Sequence, residues 1–215
     1  MLVVAAAIFS IKMAVNTELH LVNHVVWNEY WNKILYWPVR VIMVTIILFF
    51  VWKLFDRYQP FYGLTSKNVK WRPYVSMLLI MLPLIAAAST QEDFLMMYPK
   101  LQSSIPAAEY FSWFHKFLFE LSYGTDFFSI ELFFRGFLIL GFIKWAGKDT
   151  ILPMACFYCT IHFGKPLGEC ISSYFGGIIL GIVVSNTRSI WGGLMVHLGI
   201  AWLMEIGGYI GKAFE

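Results

Sequence analysis

The sequence predicts an all-α fold, a polytopic transmembrane bundle of about six to seven helices, and three observations carry that expectation. Charged residues make up 13% of the chain and hydrophobic residues 59%, whereas a soluble domain averages about 25% charged. Apolar runs of membrane-crossing length recur along the 215 residues, at roughly 20 residues per span. The segments between them are short, which leaves no room for a separate soluble domain. A net charge of +3 with scattered basic residues does not form a nucleic-acid footprint.

Residues 1–17 are apolar apart from Lys12. They lack the basic start and small-residue cleavage site of a signal peptide, so they read as a retained first span. Residues 18–33 mix Trp27, Tyr30 and Trp31 with Glu18, His20, His24, Glu29 and Lys33, a composition suited to headgroup depth. His20 and His24 are four apart without the intervening Glu of a zincin, and read as surface histidines. Residues 34–52 are a strong span, with Pro38 and Arg40 near its start. Lys53, Arg57, Lys67, Lys70 and Arg72 then gather in one loop against Asp56, the basic excess of a cytoplasmic loop. Residues 73–91 cross outward without a charge, to a loop holding Glu92, Asp93 and Lys100.

Residues 108–122 are amphipathic, with His115, Lys116 and Glu120 among Phe and Trp. Gly124 interrupts the pattern, so this stretch is expected to be interfacial or partly inserted, separate from the span at 127–143. Residues 150–164 form the next span and carry His162; Gly164 to Gly168 turn the chain. Residues 170–187 return, with Gly176, Gly177 and Gly181 permitting close helix approach. Residues 189–204 carry His197 after Gly192 and Gly193, with Glu205 expected at the helix end. The organisation is therefore 1–72 for N-terminal spans and basic loop, 73–205 for the membrane core, and 206–215 for a short tail. Cys156, Cys159 and Cys170 lie in apolar runs without a second Cys-x-x-Cys, and read as packing residues.

Few ionisable groups remain inside the spans. Glu131 and Arg135, four apart in Glu-Leu-Phe-Phe-Arg-Gly, share one helix face, and an ionisable pair at membrane depth is a functional-site hypothesis. A carboxylate beside a histidine can take a proton from water, and a second histidine can stabilise an oxyanion. Glu131, Arg135, His162 and His197 thus carry the parts of a hydrolase that attacks an amide with water. Two histidines and a carboxylate (His162, His197, Glu131) also suit a divalent metal such as zinc, and buried carboxylate–histidine sets make proton relays in transporters.

These residues resemble the CPBP family of intramembrane CAAX-prenyl-protease and bacteriocin-processing, self-immunity (Abi) proteins. The resemblance covers roughly residues 73–205, with motifs between 130 and 201. The family's Glu-Glu-x-x-x-Arg matches at Glu131 and Arg135, with Ile130 at its first Glu. Its Phe-x-x-x-His matches at His162, with Tyr158 for Phe. Its His-x-x-x-Asn matches at His197, with Ala201 for Asn. The resemblance implies a multi-pass protein of a bacterial cytoplasmic membrane that cleaves a prenylated or leader peptide within the bilayer. In the family the first Glu and the second-motif His activate water, and the third-motif His and Asn hold the oxyanion. With Ile130 in place, Glu131 or Glu169 is the candidate substitute carboxylate, and Tyr158 and Glu205 are possible accessory residues. The two departures also raise a non-catalytic immunity or interaction protein as the alternative.

Overall fold

The computed structural model describes residues 2–67 and 69–214, and no strand occurs among them. The principal helices are α1 (Leu2–Ala14), α2 (Val25–Phe55), α3 (Trp71–Ala88), α4 (Glu92–Met97), α5 (Lys100–Ser104) and α6 (Trp113–Glu131). They are followed by α7 (Ile143–Ala146), α8 (Ile151–Thr160), α9 (Leu167–Thr187) and α10 (Trp191–Lys212). By length and apolar composition α2, α3, α9 and α10 can cross a membrane. In the core α2 packs on α6, α8 on α9, and α10 on both α3 and α6.

The faces of α2 show why a bilayer is the solvent. Trp37, Val44, Leu48 and Val51 are buried, while Ile42, Ile46 and Phe50 are each more than half exposed. The exposed set recurs every fourth residue, so it forms one apolar stripe on the outside of the fold. Water would penalise that stripe; lipid does not. α1, at 13 residues, reaches only about 20 Å, short of a hydrocarbon core of roughly 30 Å. The first span expected from residues 1–17 is therefore too short to cross alone. α1 is instead pinned to the fold by one face, on which Ala5, Ile8 and Lys12 are buried. Lys12 is buried and its Nζ lies 2.9 Å from Asp126 Oδ1 on α6, and Arg40 Nε donates to the Lys12 carbonyl at 2.8 Å.

The amphipathic stretch at 108–122 is not separate from the following span. α6 continues through Gly124 and runs directly into a ten-residue π-helix, Leu132–Gly141. Gly124 is a contact point rather than a breaker: a Cβ there would meet Leu198 Cδ1 at 3.2 Å. Nine of the ten π-helix residues are buried, and Gly136 passes so near the Tyr62 carbonyl that a Cβ would stand 2.6 Å from its oxygen. Asp56, read as a loop acid, is fully buried; it accepts from Tyr62 Oη at 2.8 Å and from Lys144 Nζ at 3.0 Å. Glu205 is not a helix-end residue either. α10 runs on to Lys212, and Glu205 is buried with Oε2 accepting the Lys100 amide at 2.7 Å.

Candidate active site

Glu131 closes α6 at the point where the helix widens into its π segment. Single π turns inside α-helices recur at functional sites. Its Oε1 lies 3.1 Å from Arg135 Nη1 and 3.0 Å from His197 Nδ1, and both Glu131 and Arg135 are sealed from solvent. α10 comes this close because Gly193, one turn before His197, has no side chain. A Cβ there would stand 2.6 Å from Glu131 Oε2.

The hydrogen bonds fix which nitrogen of His197 carries its proton. A carboxylate only accepts, so Nδ1–H donates to Glu131, and Nε2 of the neutral ring is left as an acceptor. Tyr158 Oη donates to it at 2.9 Å. The Arg135 guanidinium stacks on the Tyr158 ring, Cζ 4.0 Å from the centroid. Glu131 Oε2 and the Arg135 Nε and Nη1 atoms have no hydrogen-bond partner among the described residues; the Glu131–Arg135 contact is therefore an ion pair rather than an aligned hydrogen bond.

Tyr158 lies in the last turn of α8, and His162 follows in the turn after it. Their rings are 4.8 Å apart, and His162 Nδ1 is 3.1 Å from the Tyr158 carbonyl. That carbonyl can only accept, so His162 too keeps a bare Nε2 when neutral. Glu169, in the first turn of α9, is held by Lys165 Nζ at 2.5 Å and by Tyr98 Oη at 3.0 and 3.1 Å. Burial, then nearby Tyr123 and Glu169, push the Tyr98 phenol well above its ordinary value, so it stays a donor.

A cavity of about 680 Å³ joins these groups, and Arg135, Tyr158, His162, Glu169 and His197 all line it. Glu131 does not; it lies behind His197 and Arg135. Ile130 and Ala201 do stand on the wall, so both motif departures face the space where chemistry would occur. Of the residues expected from sequence, Glu131, Arg135, His197 and Tyr158 form one connected cluster, and His162 joins it through Tyr158. Glu169 shares the cavity but bonds elsewhere, and Glu205 is engaged at the Lys100 amide.

The three candidate zinc ligands do not form a set. Glu131 Oε1 is committed to Arg135 and His197, and His197 uses both nitrogens in hydrogen bonds. No cluster of three His, Cys, Asp or Glu side chains able to hold a metal occurs among the described residues.

Compared with known proteins, residues 113–203 match the family model described as Type II CAAX prenyl endopeptidase Rce1-like. This segment belongs to the CAAX-protease (CPBP) family. Searches of curated proteins and of solved structures return no match. The CAAX-protease segment begins where α6 begins and ends within α10, so it holds every member of the Glu131–His197–Tyr158–His162 cluster. The chain is an integral membrane protein, and its residues 113–203 are similar to the CAAX prenyl endopeptidases.

Sequence reasoning missed Lys165, Tyr98 and Gly193 as parts of the site. Lys165 and Glu169 are spaced i, i+4, a pairing signal visible in the sequence. Tyr98 lies 71 residues from Glu169, and only the tertiary fold brings it there.

Proposed function

We propose that this CAAX-type chain hydrolyses a peptide bond held in the 680 Å³ cavity, with His162 as the proton acceptor for the attacking water. The observation that carries the reading is the cavity itself. His162, whose Nε2 is left free to accept a proton, lines it together with His197, Tyr158 and Arg135. A volume in the range of ligand pockets, about 300–1,000 Å³, admits a few extended residues. Phe9, Met81, Leu84 and Met204 along the lining suit an apolar or prenylated peptide, a leader segment included. Glu131 serves as a positioning residue rather than the base, because its bonded oxygen is occupied and it is shut off from the cavity. It fixes the His197 ring while Arg135 offsets its charge. Glu169, with Lys165, is the carboxylate on the cavity side. The protein sits as a multi-pass protein in a bacterial cytoplasmic membrane, its basic 53–72 loop on the cytoplasmic face.

The test is turnover of prenylated and leader-type peptides by purified protein in detergent, against His162→Ala and Glu169→Gln with thermal unfolding as the fold control. His162→Ala is expected to abolish turnover, and Glu169→Gln to lower it. Equal inertness of wild type and His162→Ala over a broad panel would sink the hydrolase reading.

Ile130 and Ala201 on the cavity wall favour one other reading, a peptide-binding immunity or interaction protein without chemistry. It expects wild type and His162→Ala to bind the same peptides equally and cleave none.

A further inference from the structure

We infer that the Tyr158 hydroxyl is the hydrogen-bond donor to the oxyanion formed at the scissile carbonyl, with His197 and Glu131 as the positioning chain behind it. The inference rests on the peptidase reading and specifies the residue that reading leaves open. Attack on an amide carbonyl puts negative charge on its oxygen, and the site must offer donors there. The two histidines cannot do so as neutral rings. His197 gives its one proton to Glu131 and His162 gives its own to the Tyr158 carbonyl, so each presents only a bare Nε2. Ala201, one turn beyond His197 on the same cavity wall, carries no polar group. Tyr158 lines the cavity, and its Oη, a donor, is held 2.9 Å from Nε2 of His197, a residue that lines the same cavity.

The surroundings of that hydroxyl suit the task. The Arg135 guanidinium carbon stands over the phenol ring 4.0 Å from its centroid, with two guanidinium nitrogens lacking hydrogen-bond partners, so positive charge faces the ring that carries the hydroxyl. The chain Tyr158–His197–Glu131 holds the side chain in place before substrate arrives, and preorganised donors of this kind act without reorganisation during the reaction. The step balances simply. Water adds its oxygen to the carbonyl carbon and its proton passes to His162. The carbonyl π pair moves onto oxygen, and the Tyr158 hydrogen bond turns from His197 Nε2 to that oxygen. Collapse expels the amine, which takes the proton back from His162. Tyr158 keeps its proton throughout.

The experiment uses the full chain in detergent, a quenched peptide that the wild type cleaves, and a phosphonamidate analogue of that peptide. Tyr158→Phe should lower kcat roughly 100-fold or more, leave KM within about threefold, and weaken the tetrahedral analogue by a factor similar to the kcat loss. Tyr158→Phe with Ala201→Asn, which places an amide on the same wall, should recover part of the lost kcat. A merely structural tyrosine would move KM and both ligands together and would not respond to Ala201→Asn. Should Tyr158→Phe unfold, 3,5-difluorotyrosine at 158 keeps the shape; it should move the alkaline limb of kcat to lower pH as the more acidic phenol loses its proton. Wild-type kcat in Tyr158→Phe, or an unmoved alkaline limb, overturns this inference alone. A wild type that cleaves no peptide overturns the hydrolase reading and this inference with it.

Discussion

Replacing Glu131 with Gln removes one charge from the centre of the fold and almost no volume. Arg135 is 1% exposed and its ion pair among the described residues is with Glu131 alone, so the guanidinium would stay buried without compensation. Breaking a buried pair in this way costs about 3–5 kcal/mol. The lower end applies here, because Glu131 Oε2 and two Arg135 nitrogens already lack hydrogen-bond partners; the native pair recovers only part of its desolvation cost. The expected loss is therefore about 3 kcal/mol. Arg135→Met alone should cost a similar amount by stranding the carboxylate. The double variant should be less destabilised than the sum of the two, by about 2 kcal/mol of coupling. Equilibrium unfolding in mixed micelles, run on all four proteins, measures this. If Glu131→Gln unfolds within about 0.5 kcal/mol of wild type, or if the two changes simply add, the pair is not the lock described.

Gly193→Ala puts a Cβ 2.6 Å from Glu131 Oε2, and the carboxylate cannot retreat without releasing Arg135 or His197; a loss of about 1–3 kcal/mol, with reduced turnover, is expected from unfolding and peptide assays, and wild-type values in both would count against the packing argument. Lys12→Met removes the ion pair to Asp126, whose side chain is 15% exposed, so about 1–3 kcal/mol and faster proteolysis within α1 should follow; unaltered cleavage kinetics would show that Lys12 does not hold α1. The hydrogen bond to Asp56 raises the Lys144 ammonium above its ordinary 10.5. A raised lysine contributes stability that is fully present below the unfolded value and fades as pH climbs through the folded one. Asp56→Asn should accordingly remove a component of stability that wild type loses only above about pH 10.5, visible as a flatter alkaline limb in pH-dependent melting; identical limbs would refute the coupling.

Much of the site was legible because its chemistry is out of place in a membrane. Glu131 and Arg135 announce themselves as charges four residues apart in an apolar run, and His162 and His197 as isolated polar groups in apolar helices. The helical class follows from the same composition. Contacts made only by folding were not legible. Gly124 reads as a break in one dimension, yet it is the place where α10 leans on α6. Asp56 and Glu205 read as loop and end residues because a linear sequence does not show that Tyr62, Lys144 and the Lys100 amide come to meet them. The direction of the hydrogen bonds in the cluster was also hidden. Their rarity as ionisable groups in apolar spans made Glu131 and His197 candidates, but only the 3.0 Å contact at Nδ1 indicates that a neutral His197 has no proton left for the cavity. In the proposed mechanism that one bond makes Glu131 a positioning residue rather than the base.

Hydrolysis in ¹⁸O-labelled water tests the central claim most directly. Purified wild-type protein is incubated with a cleavable peptide, and the fragments are read by mass spectrometry beside His162→Ala. The mechanism predicts two fragments from wild type, one labelled oxygen in the new carboxylate, and none from His162→Ala. Label-free products, or the same labelled products from both proteins, would contradict it.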